Sequence, residues 1–303
     1  MISFPTIQAE IQFVKSIGHS DLFVLREDRI HPEISGNKYR KLKYNLETFS
    51  QGNYESILSF GGAYSNHIAA LAAAGREFNI PTIGIIRGEE LKDKIQDNPT
   101  LSYAKQNGMR LEFVSRTAYR EKNQPKFLEE LRIKFGNVYI LPEGGTNEMA
   151  IKGCEEILGK HTAEFDYICC AVGTGGTIRG ILNSALPHQK VLGFPALKDS
   201  EFLKNEINQV GKRSNFDWIN NFHFGGYGKY STELIDFINE FKNQYNVPLE
   251  PIYTGKMFYG IVQLMKEKFF PVDSKILAVH TGGLQGIEGI NQRLKEKNKP
   301  LLG

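Results

Sequence analysis

The chain has few cysteines, little net charge and no long hydrophobic run. Its 303 residues include three cysteines, two of them adjacent in DYICCAVG, and no CxxC pair, which excludes a disulfide framework. The net charge of +3 comes from scattered residues and gives no support to nucleic-acid binding. No apolar run approaches the roughly 20 residues that a membrane helix needs, and the start MISFPTIQAEIQF does not resemble a signal peptide. We therefore expect a cytoplasmic protein without nucleic-acid or membrane partners.

Common metal, nucleotide and catalytic motifs are also missing. The seven histidines show no HExxH or other tight spacing, so no metal site is expected. A GxGxxG fingerprint would need a glycine at Ile178, and no GxxxxGK[ST] loop occurs. SYAK (102–105) matches the SxxK of penicillin-binding enzymes, but the companion SDN and KTG elements are absent, so we attribute this match to chance.

What the sequence does contain is an alternation of strand and helix patterns. Helical periodicity is found in NHIAALAAAGREF, PTLSYAKQNG and GKMFYGIVQLMKEKFF. Short apolar runs rich in β-branched and aromatic residues predict strands at 56–60, 81–87, 111–115, 137–141, 167–172, 190–194 and 275–280. Strands that alternate with helices indicate an α/β fold with parallel sheets built from βαβ units.

Four predicted strands end in glycine-rich segments, namely SFGGAYSNH, LPEGGTNEM, AVGTGGTIRG and VHTGGLQGIEG. Because ligands bind at the carboxyl ends of parallel strands, these segments predict one shared pocket. The third contains a loop before a predicted helix that starts near Ile178, and the loop consists of Gly173, Thr174, Gly175, Gly176 and Thr177. Its backbone N–H groups can bind a phosphate without a cationic side chain, and a side chain at Gly175 would fill the space of the phosphate.

The stretch HPEISGNKYRKLKYNL (31–46) places Lys38 directly after a Gly-Asn pair, with three more cationic residues within five positions. A solvated, basic helix start is the ordinary interpretation. A phosphate loop together with a lysine in a glycine-flanked setting fits pyridoxal phosphate better, because its aldehyde forms a Schiff base with a lysine amine. We therefore expect pyridoxal 5'-phosphate as the cofactor.

The joint order of SGNKYRKL, GGAYSNH, EGGTN, GTGGT, YTGK and HTGG resembles one family. From about Phe23 to Gly286 the chain is similar to pyridoxal-phosphate enzymes of the tryptophan-synthase-β-like fold type, fold type II. Within them it resembles the branch of 1-aminocyclopropane-1-carboxylate deaminase and D-cysteine desulfhydrase. The resemblance implies two domains, each with a twisted, mostly parallel sheet flanked by helices, and a cofactor in the cleft between them. The large domain would comprise 1–44 and 148–303, the inserted small domain 45–147, and we expect a homodimer.

The resemblance also assigns roles to residues around the cofactor. Lys38 matches the Schiff-base lysine, and Asn66 matches the asparagine that hydrogen-bonds the pyridine 3-hydroxyl. Ser65 matches the serine that meets the substrate carboxylate or reacting group. The loop 173–177 matches the phosphate site.

Four further positions concern the substrate. Tyr253 and Tyr227 match a pair that lines the substrate side of the cofactor, although ordinary, half-buried tyrosines are the alternative. The ring-opening deaminases read YEG and HLGG where this chain has YTG and HTGG. Thr254 therefore brings no charge to the pyridine nitrogen, and Thr281 offers only a hydroxyl near it, as in D-cysteine desulfhydrases. The family usually has threonine or arginine where this chain has Ile68, after the histidine of SNHIAA.

The resemblance implies a lyase, deaminase or hydrolase that acts on a small D-amino acid, and the departures at Thr254 and Thr281 bear on its substrate. The preferred reaction is β-elimination from D-cysteine, which gives pyruvate, ammonia and hydrosulfide. One alternative is a 1-aminocyclopropane-1-carboxylate deaminase that gives 2-oxobutanoate and ammonia. An alternative of another class is a non-catalytic protein that binds a phosphate-bearing ligand.

Overall fold

The structure is a computed structural model that describes residues 4–209 and 215–303. Its strands are β1 (Ile11–Ile17), β2 (Ser20–Leu25), β3 (Ser56–Gly61), β4 (Thr82–Arg87), β5 (Arg110–Val114), β6 (Val138–Leu141), β7 (Tyr167–Val172), β8 (Lys190–Pro195), β9 (Phe216–Trp218) and β10 (Lys275–Val279). The helices are α1 (Asn37–Gln51), α2 (Asn66–Glu77), α3 (Pro99–Gln106), α4 (Arg116–Arg120), α5 (Pro125–Phe135), α6 (Glu148–Glu155), α7 (Gly176–Ser184), α8 (Glu201–Gln209), α9 (Thr232–Tyr245), α10 (Thr254–Lys266) and α11 (Ile287–Glu296). Among the described residues, no helix has the length and apolar character needed to span a bilayer.

The strands form two sheets, which confirms the predicted α/β class. The larger has the order β1-β2-β10-β7-β8-β9, and the smaller has the order β5-β4-β3-β6. All neighbouring strands are parallel except β1 and β2. Parallel strands are buried on both faces, which explains why β7 reads as the continuous apolar run YICCAV.

Each sheet has a hydrophobic core on both faces. In β10 the side chains of Ile276 and Ala278 belong to one core cluster, whereas Leu277 and Val279 belong to another. In β3 the neighbours Ile57 and Leu58 separate in the same way between the two clusters of the smaller sheet. This alternation follows from the two-residue period of a strand. Helices cover both faces, so that ligand-binding loops are confined to the strand ends.

All seven predicted strands are present, with ends that differ by one residue at most. Three strands were not predicted. The first two, β1 and β2, form an antiparallel hairpin at one edge, and β9 has three residues at the other. The edge strand β1 has a single buried residue, Val14, among exposed and half-buried positions, so it lacks the continuous apolar run that identified the inner strands.

The smaller sheet uses only residues between 56 and 141, and the larger sheet uses strands on both sides of this segment. The domain boundaries stay a proposal. The boundary at 44/45 lies within α1, which packs against both α6 and α2. The boundary at 147/148 coincides with the start of α6, where the Asn147 side chain accepts the N–H of Ala150.

Candidate functional site

The four glycine-rich segments lie together at the carboxyl ends of β3, β6, β7 and β10. A Cβ on Gly144 would be 2.9 Å from the Thr174 side chain, which brings the segments after β6 and β7 into contact. A Cβ on Gly283 would be 2.9 Å from Asn66 Nδ2, which does the same for the segments after β10 and β3. The predicted common pocket is therefore present as an arrangement of loops.

The basic stretch at the start of α1 is not a solvated face. Arg40 pairs with Glu27 at 2.8 Å, and Lys43 pairs with Glu156 at 2.8 Å; both cations are buried. The solvated interpretation is therefore wrong. Buried charges require partners, and each of these two cations has a carboxylate.

Lys38 is half-buried in the first turn of α1, and its Nζ donates to Asn37 Oδ1 at 3.2 Å. Burial lowers the pKa of Lys38 to about 7, and the nearby charge of Lys41 acts in the same direction. A large neutral fraction at neutral pH is what a nucleophilic amine needs. The turn is held against the strand-end loop of β10, because a Cβ on Gly36 would be 2.1 Å from the carbonyl oxygen of Thr281.

Lys41 differs from Arg40 and Lys43 because its hydrogen bonds go to neutral oxygens. Its Nζ donates to Thr146 Oγ1 at 2.9 Å and to the Gly144 carbonyl at 3.1 Å. The Thr174 hydroxyl lies at 3.4 Å from the same nitrogen and at 2.6 Å from Thr146 Oγ1. An ammonium group is thereby placed at the loop 173–177.

That arrangement corrects the expectation of a phosphate loop without a cationic side chain. A Cβ on Gly176 would be 3.1 Å from Lys41 Nζ and 2.9 Å from Thr146, so only a glycine leaves this space open at the start of α7. Lys41 could have been found from the sequence, because it follows Lys38 by three residues and so shares its helix face.

Gly175 does not have the role that we expected. Its φ of +81° favours glycine. A Cβ there would, however, point towards Leu203 at 3.1 Å and Ile207 at 3.6 Å on α8. The space that a side chain would fill lies at Gly176. The next residue, Thr177, accepts a hydrogen bond from Asn37 Nδ2 at 2.7 Å, which ties the loop to the turn that bears Lys38.

Ser65 and Asn66 begin α2 at the end of the β3 segment. Ser65 Oγ accepts the N–H of Ile68 at 3.3 Å, and its O–H remains a donor. Gly61 allows this close approach, since a Cβ there would be 2.7 Å from Ser65 Oγ. Asn66 faces Gly283 and Gly286 across the pocket. The positions suit the expected roles, which stay predictions.

Tyr253 and Tyr227 lie together, with ring centroids 5.9 Å apart in an edge-to-face arrangement. A Cβ on Gly173 would be 2.9 Å from the Tyr253 ring, so this tyrosine packs directly on the loop 173–177. Burial, followed by the neighbouring Tyr227, raises the pKa of Tyr253 well above its usual value. Tyr227 is 56% exposed and stands towards solvent.

A buried carboxylate that no motif indicated stands behind Thr254. Glu250 is 1% exposed, and its carboxylate accepts the N–H groups of Ile252, Tyr253 and Thr254 at 2.7 to 2.8 Å. The Thr254 hydroxyl donates to the same group at 3.2 Å. Burial raises the pKa of Glu250, against the opposing effect of these N–H bonds. Thr254 and Thr281 are both buried.

Taken together, these residues fit an anionic, aldehyde-bearing cofactor. The space beside Gly176 has an ammonium group, two threonine hydroxyls and a helix N-terminus around it. Lys38 lies on the same face of the helix, with a lowered pKa. Within residues 4–209 and 215–303, the structure has no group of three or more histidine, cysteine, aspartate or glutamate side chains that could hold a metal ion.

Comparisons with known proteins agree with this chemistry. Residues 5–282 match the family described as "Pyridoxal-phosphate dependent enzyme". A Pyrococcus abyssi protein, provisionally named a 1-aminocyclopropane-1-carboxylate deaminase, is 29% identical over 95% of this chain and 93% of its own length. An Arabidopsis thaliana relative is named "Bifunctional D-cysteine desulfhydrase/1-aminocyclopropane-1-carboxylate deaminase, mitochondrial". It is 28% identical over 88% of this chain and 73% of its own length.

A solved structure shows the same fold. The crystal structure of a homologue of 1-aminocyclopropane-1-carboxylate deaminase superposes with a TM-score of 0.79 and 26% identity. The match covers 96% of this chain and 94% of the other. The two-sheet α/β architecture that the resemblance implied is therefore confirmed.

Proposed function

Because the chain belongs to the pyridoxal-phosphate dependent enzymes, we propose that it is a lyase that eliminates hydrosulfide from D-cysteine. The resemblance to 1-aminocyclopropane-1-carboxylate deaminases and D-cysteine desulfhydrases is confirmed, and the cofactor is pyridoxal phosphate. The relatives are named as enzymes, which is evidence against the non-catalytic alternative. They support a lyase, so the expectation of a hydrolase is wrong.

The proposal assigns the two lysines of α1 to different parts of the cofactor. When bound, pyridoxal phosphate supplies an aldehyde that reacts with amines and a ring that withdraws electrons. Lys41 and the loop 173–177 would bind the phosphate, and Lys38 would bind the aldehyde end. The Lys38 amine would also be the base that takes the proton from the substrate α-carbon. A pKa of about 7, which burial produces, supports this role because the neutral form is plentiful at neutral pH.

The remaining residues would bind and orient the amino acid. The Ser65 hydroxyl and the N-terminus of α2 suit the substrate carboxylate. Tyr253 stays protonated because burial raises its pKa, so its O–H can donate a hydrogen bond to the departing sulfur. The products are hydrosulfide and 2-aminoacrylate, and water converts the latter to pyruvate and ammonia.

The choice of D-cysteine depends on one observation, the pairing of Thr254 with Glu250. The hydroxyl of Thr254 is neutral, and the carboxylate behind it is already occupied by three backbone N–H groups. A glutamate at position 254 would keep the pyridine nitrogen of the cofactor protonated and the ring strongly electron-withdrawing. Thr254 would do so less. Thiolates leave readily, since a thiol has a pKa of about 8.5, whereas a cyclopropane ring has no good leaving group.

The second candidate is a 1-aminocyclopropane-1-carboxylate deaminase. Several relatives carry that name, and the plant relative is named for both activities. The Thr254 pairing favours elimination over ring opening, but both reactions begin from the same cofactor and the same lysine.

The two candidates are separated by steady-state kinetics on the purified holoenzyme. Hydrosulfide release from D-cysteine and 2-oxobutanoate release from 1-aminocyclopropane-1-carboxylate are measured with the same preparation. We expect kcat/KM for D-cysteine to exceed the other by about tenfold or more, because thiolate is the better leaving group. A higher value for the cyclopropane substrate would contradict the proposal. The homodimer and the cytoplasmic location expected from the sequence stay predictions.

A further inference from the structure

Lys256 is a buried lysine that the proposed chemistry does not use. It lies in the first turn of α10 and is 2% exposed. A cation in the first turn faces the positive end of the helix dipole, and burial lowers its pKa to about 8. Both effects disfavour the charged side chain at this place, so its hydrogen-bond partners must compensate.

Those partners are two backbone carbonyls of a single loop. Lys256 Nζ donates to the carbonyl of His223 at 2.9 Å and to the carbonyl of Gly226 at 2.8 Å. The loop is the segment 219–231 between β9 and α9; all of its residues are described, and it contains no helix or strand. Lys256 therefore joins the start of α10 to a segment that has no sheet or helix of its own to hold it.

The backbone of this loop needs such support. Gly225, Gly226 and Gly228 have positive φ angles, and so does Phe224 at +52°. A positive φ is strained for a phenylalanine and persists only where its surroundings hold it. The Phe224 ring packs edge-to-face on Tyr259, with centroids 5.1 Å apart. Tyr259 follows Lys256 by three residues, so one face of α10 holds the loop at two points.

The loop carries Tyr227, which directly follows Gly226. The Tyr227 ring stands 5.9 Å from that of Tyr253, the residue directly before α10. Lys256 thus donates a hydrogen bond to the carbonyl of Gly226, the residue before Tyr227, and it belongs to the helix that Tyr253 directly precedes. We propose that Lys256 is a positioning residue that holds Tyr227 against Tyr253 and so shapes the substrate side of the site. This inference depends on the proposed function for its kinetic test only.

The kinetic test is a double-mutant cycle of Lys256→Met and Tyr227→Ala. Methionine keeps the length of the side chain but removes both hydrogen bonds. Alone, Lys256→Met should lower kcat/KM for D-cysteine about tenfold to a hundredfold, because small displacements of a positioning group are costly. In the Tyr227→Ala background it should cause no further loss. Cofactor affinity should be unchanged, and Lys266→Met at the exposed end of the same helix is the matched control.

A second measurement needs no substrate, so it remains valid even if neither amino acid is turned over. Lys229 is exposed in the loop and gives trypsin a cleavage site. In the holoenzyme, Lys256→Met should speed cleavage after Lys229 by about tenfold, because cleavage follows the population of the opened loop. Lys266→Met should leave this rate unchanged.

Either measurement can contradict the role of Lys256. Additive losses in the double-mutant cycle, or an unchanged cleavage rate, would show that Lys256 does not act through the loop of Tyr227. If Lys256→Met does not fold, Lys256→Gln, whose amide keeps a donor, is used in both measurements. Loss of folding in both variants would also overturn the proposal, because it would assign Lys256 to the stability of the whole domain.

Discussion

The two ends of the candidate site are built differently. At the phosphate end, the buried Lys41, the half-buried Thr146 and the exposed Thr174 form a compact set of hydrogen bonds between 2.6 and 3.4 Å. At the substrate end, Tyr227 is 56% exposed and lies on an irregular loop, which Lys256 holds from one side. The donors of the first end are already joined to one another by hydrogen bonds, whereas the second end depends on an exposed ring on an irregular loop.

The difference indicates how one scaffold can serve several substrates. Phosphate is the same in every member of such a family, so a rigid arrangement of donors suffices. Substrate choice would depend on the Tyr227 loop and on the pairing of Thr254 with Glu250. Changes at one end should therefore leave the other end intact, and this separation can be tested by substitution.

The largest expected effect is that of Lys38→Ala, which disables both ends at once. Covalent catalysis needs one particular amine, so we expect kcat to fall by at least about a thousandfold. The visible absorption of the lysine-bound cofactor should also disappear. Lys43→Ala is the control, since Lys43 is engaged with Glu156. An absorption band that persists in Lys38→Ala would refute the assignment.

A smaller effect, confined to the phosphate end, is expected for Lys41→Met. A charge-assisted hydrogen bond contributes about 1.5–3 kcal/mol, which corresponds to a cofactor affinity about tenfold to a hundredfold weaker. At saturating cofactor, the ratio of kcat/KM for D-cysteine to that for the cyclopropane substrate should be unchanged. Titration of the apo-protein measures the affinity, and Lys43→Met is the matched control. A changed substrate ratio would show that the two ends are not separate.

The smallest effect is a pH dependence. Lys38 must be neutral to react, and burial gives it a pKa of about 7, so its neutral fraction rises about tenfold between pH 6 and pH 8. The rate of cofactor uptake by the apo-protein should rise by the same factor between pH 6 and pH 8. A rate that still climbs beyond pH 9 would indicate an ordinary lysine.

The same lowered pKa predicts how the stability of the apo-protein depends on pH. The unfolded chain keeps the Lys38 proton up to an ordinary lysine pKa of 10.5, and the folded chain loses it near 7. The unfolded state binds more protons in this window, so the contribution of Lys38 to the free energy of unfolding rises with pH there.

The sequence predicted the inner strands and the loop 173–177 that follows β7, because both are local patterns; the phosphate-binding role of the loop stays a prediction. β7 and β10 are continuous apolar runs, and GTGGT follows β7 directly. The edge strand β1 was missed because polar residues interrupt its apolar run, IQFVKSI. The position of Lys41 three residues after Lys38 was a usable signal, but its partners, Thr146 and Thr174, are more than a hundred residues away in the chain and gave no local pattern.

The substrate end was the least predictable for the same physical reason. Glu250 acts through hydrogen bonds to backbone N–H groups, which any residues in the same conformation would supply. Lys256 acts through two backbone carbonyls some thirty residues away. Contacts between a side chain and a distant backbone leave no pattern of residue types in the sequence. They are visible only in the three-dimensional structure.

The central claim is that Lys38, and no other buried lysine, binds the cofactor covalently. Reduction of the holoenzyme with borohydride fixes the cofactor on its lysine, and peptide mapping then identifies the labelled residue. We predict a label on Lys38 alone. A label on Lys41 or Lys256, the other buried lysines whose pKa is lowered by burial, would contradict the account.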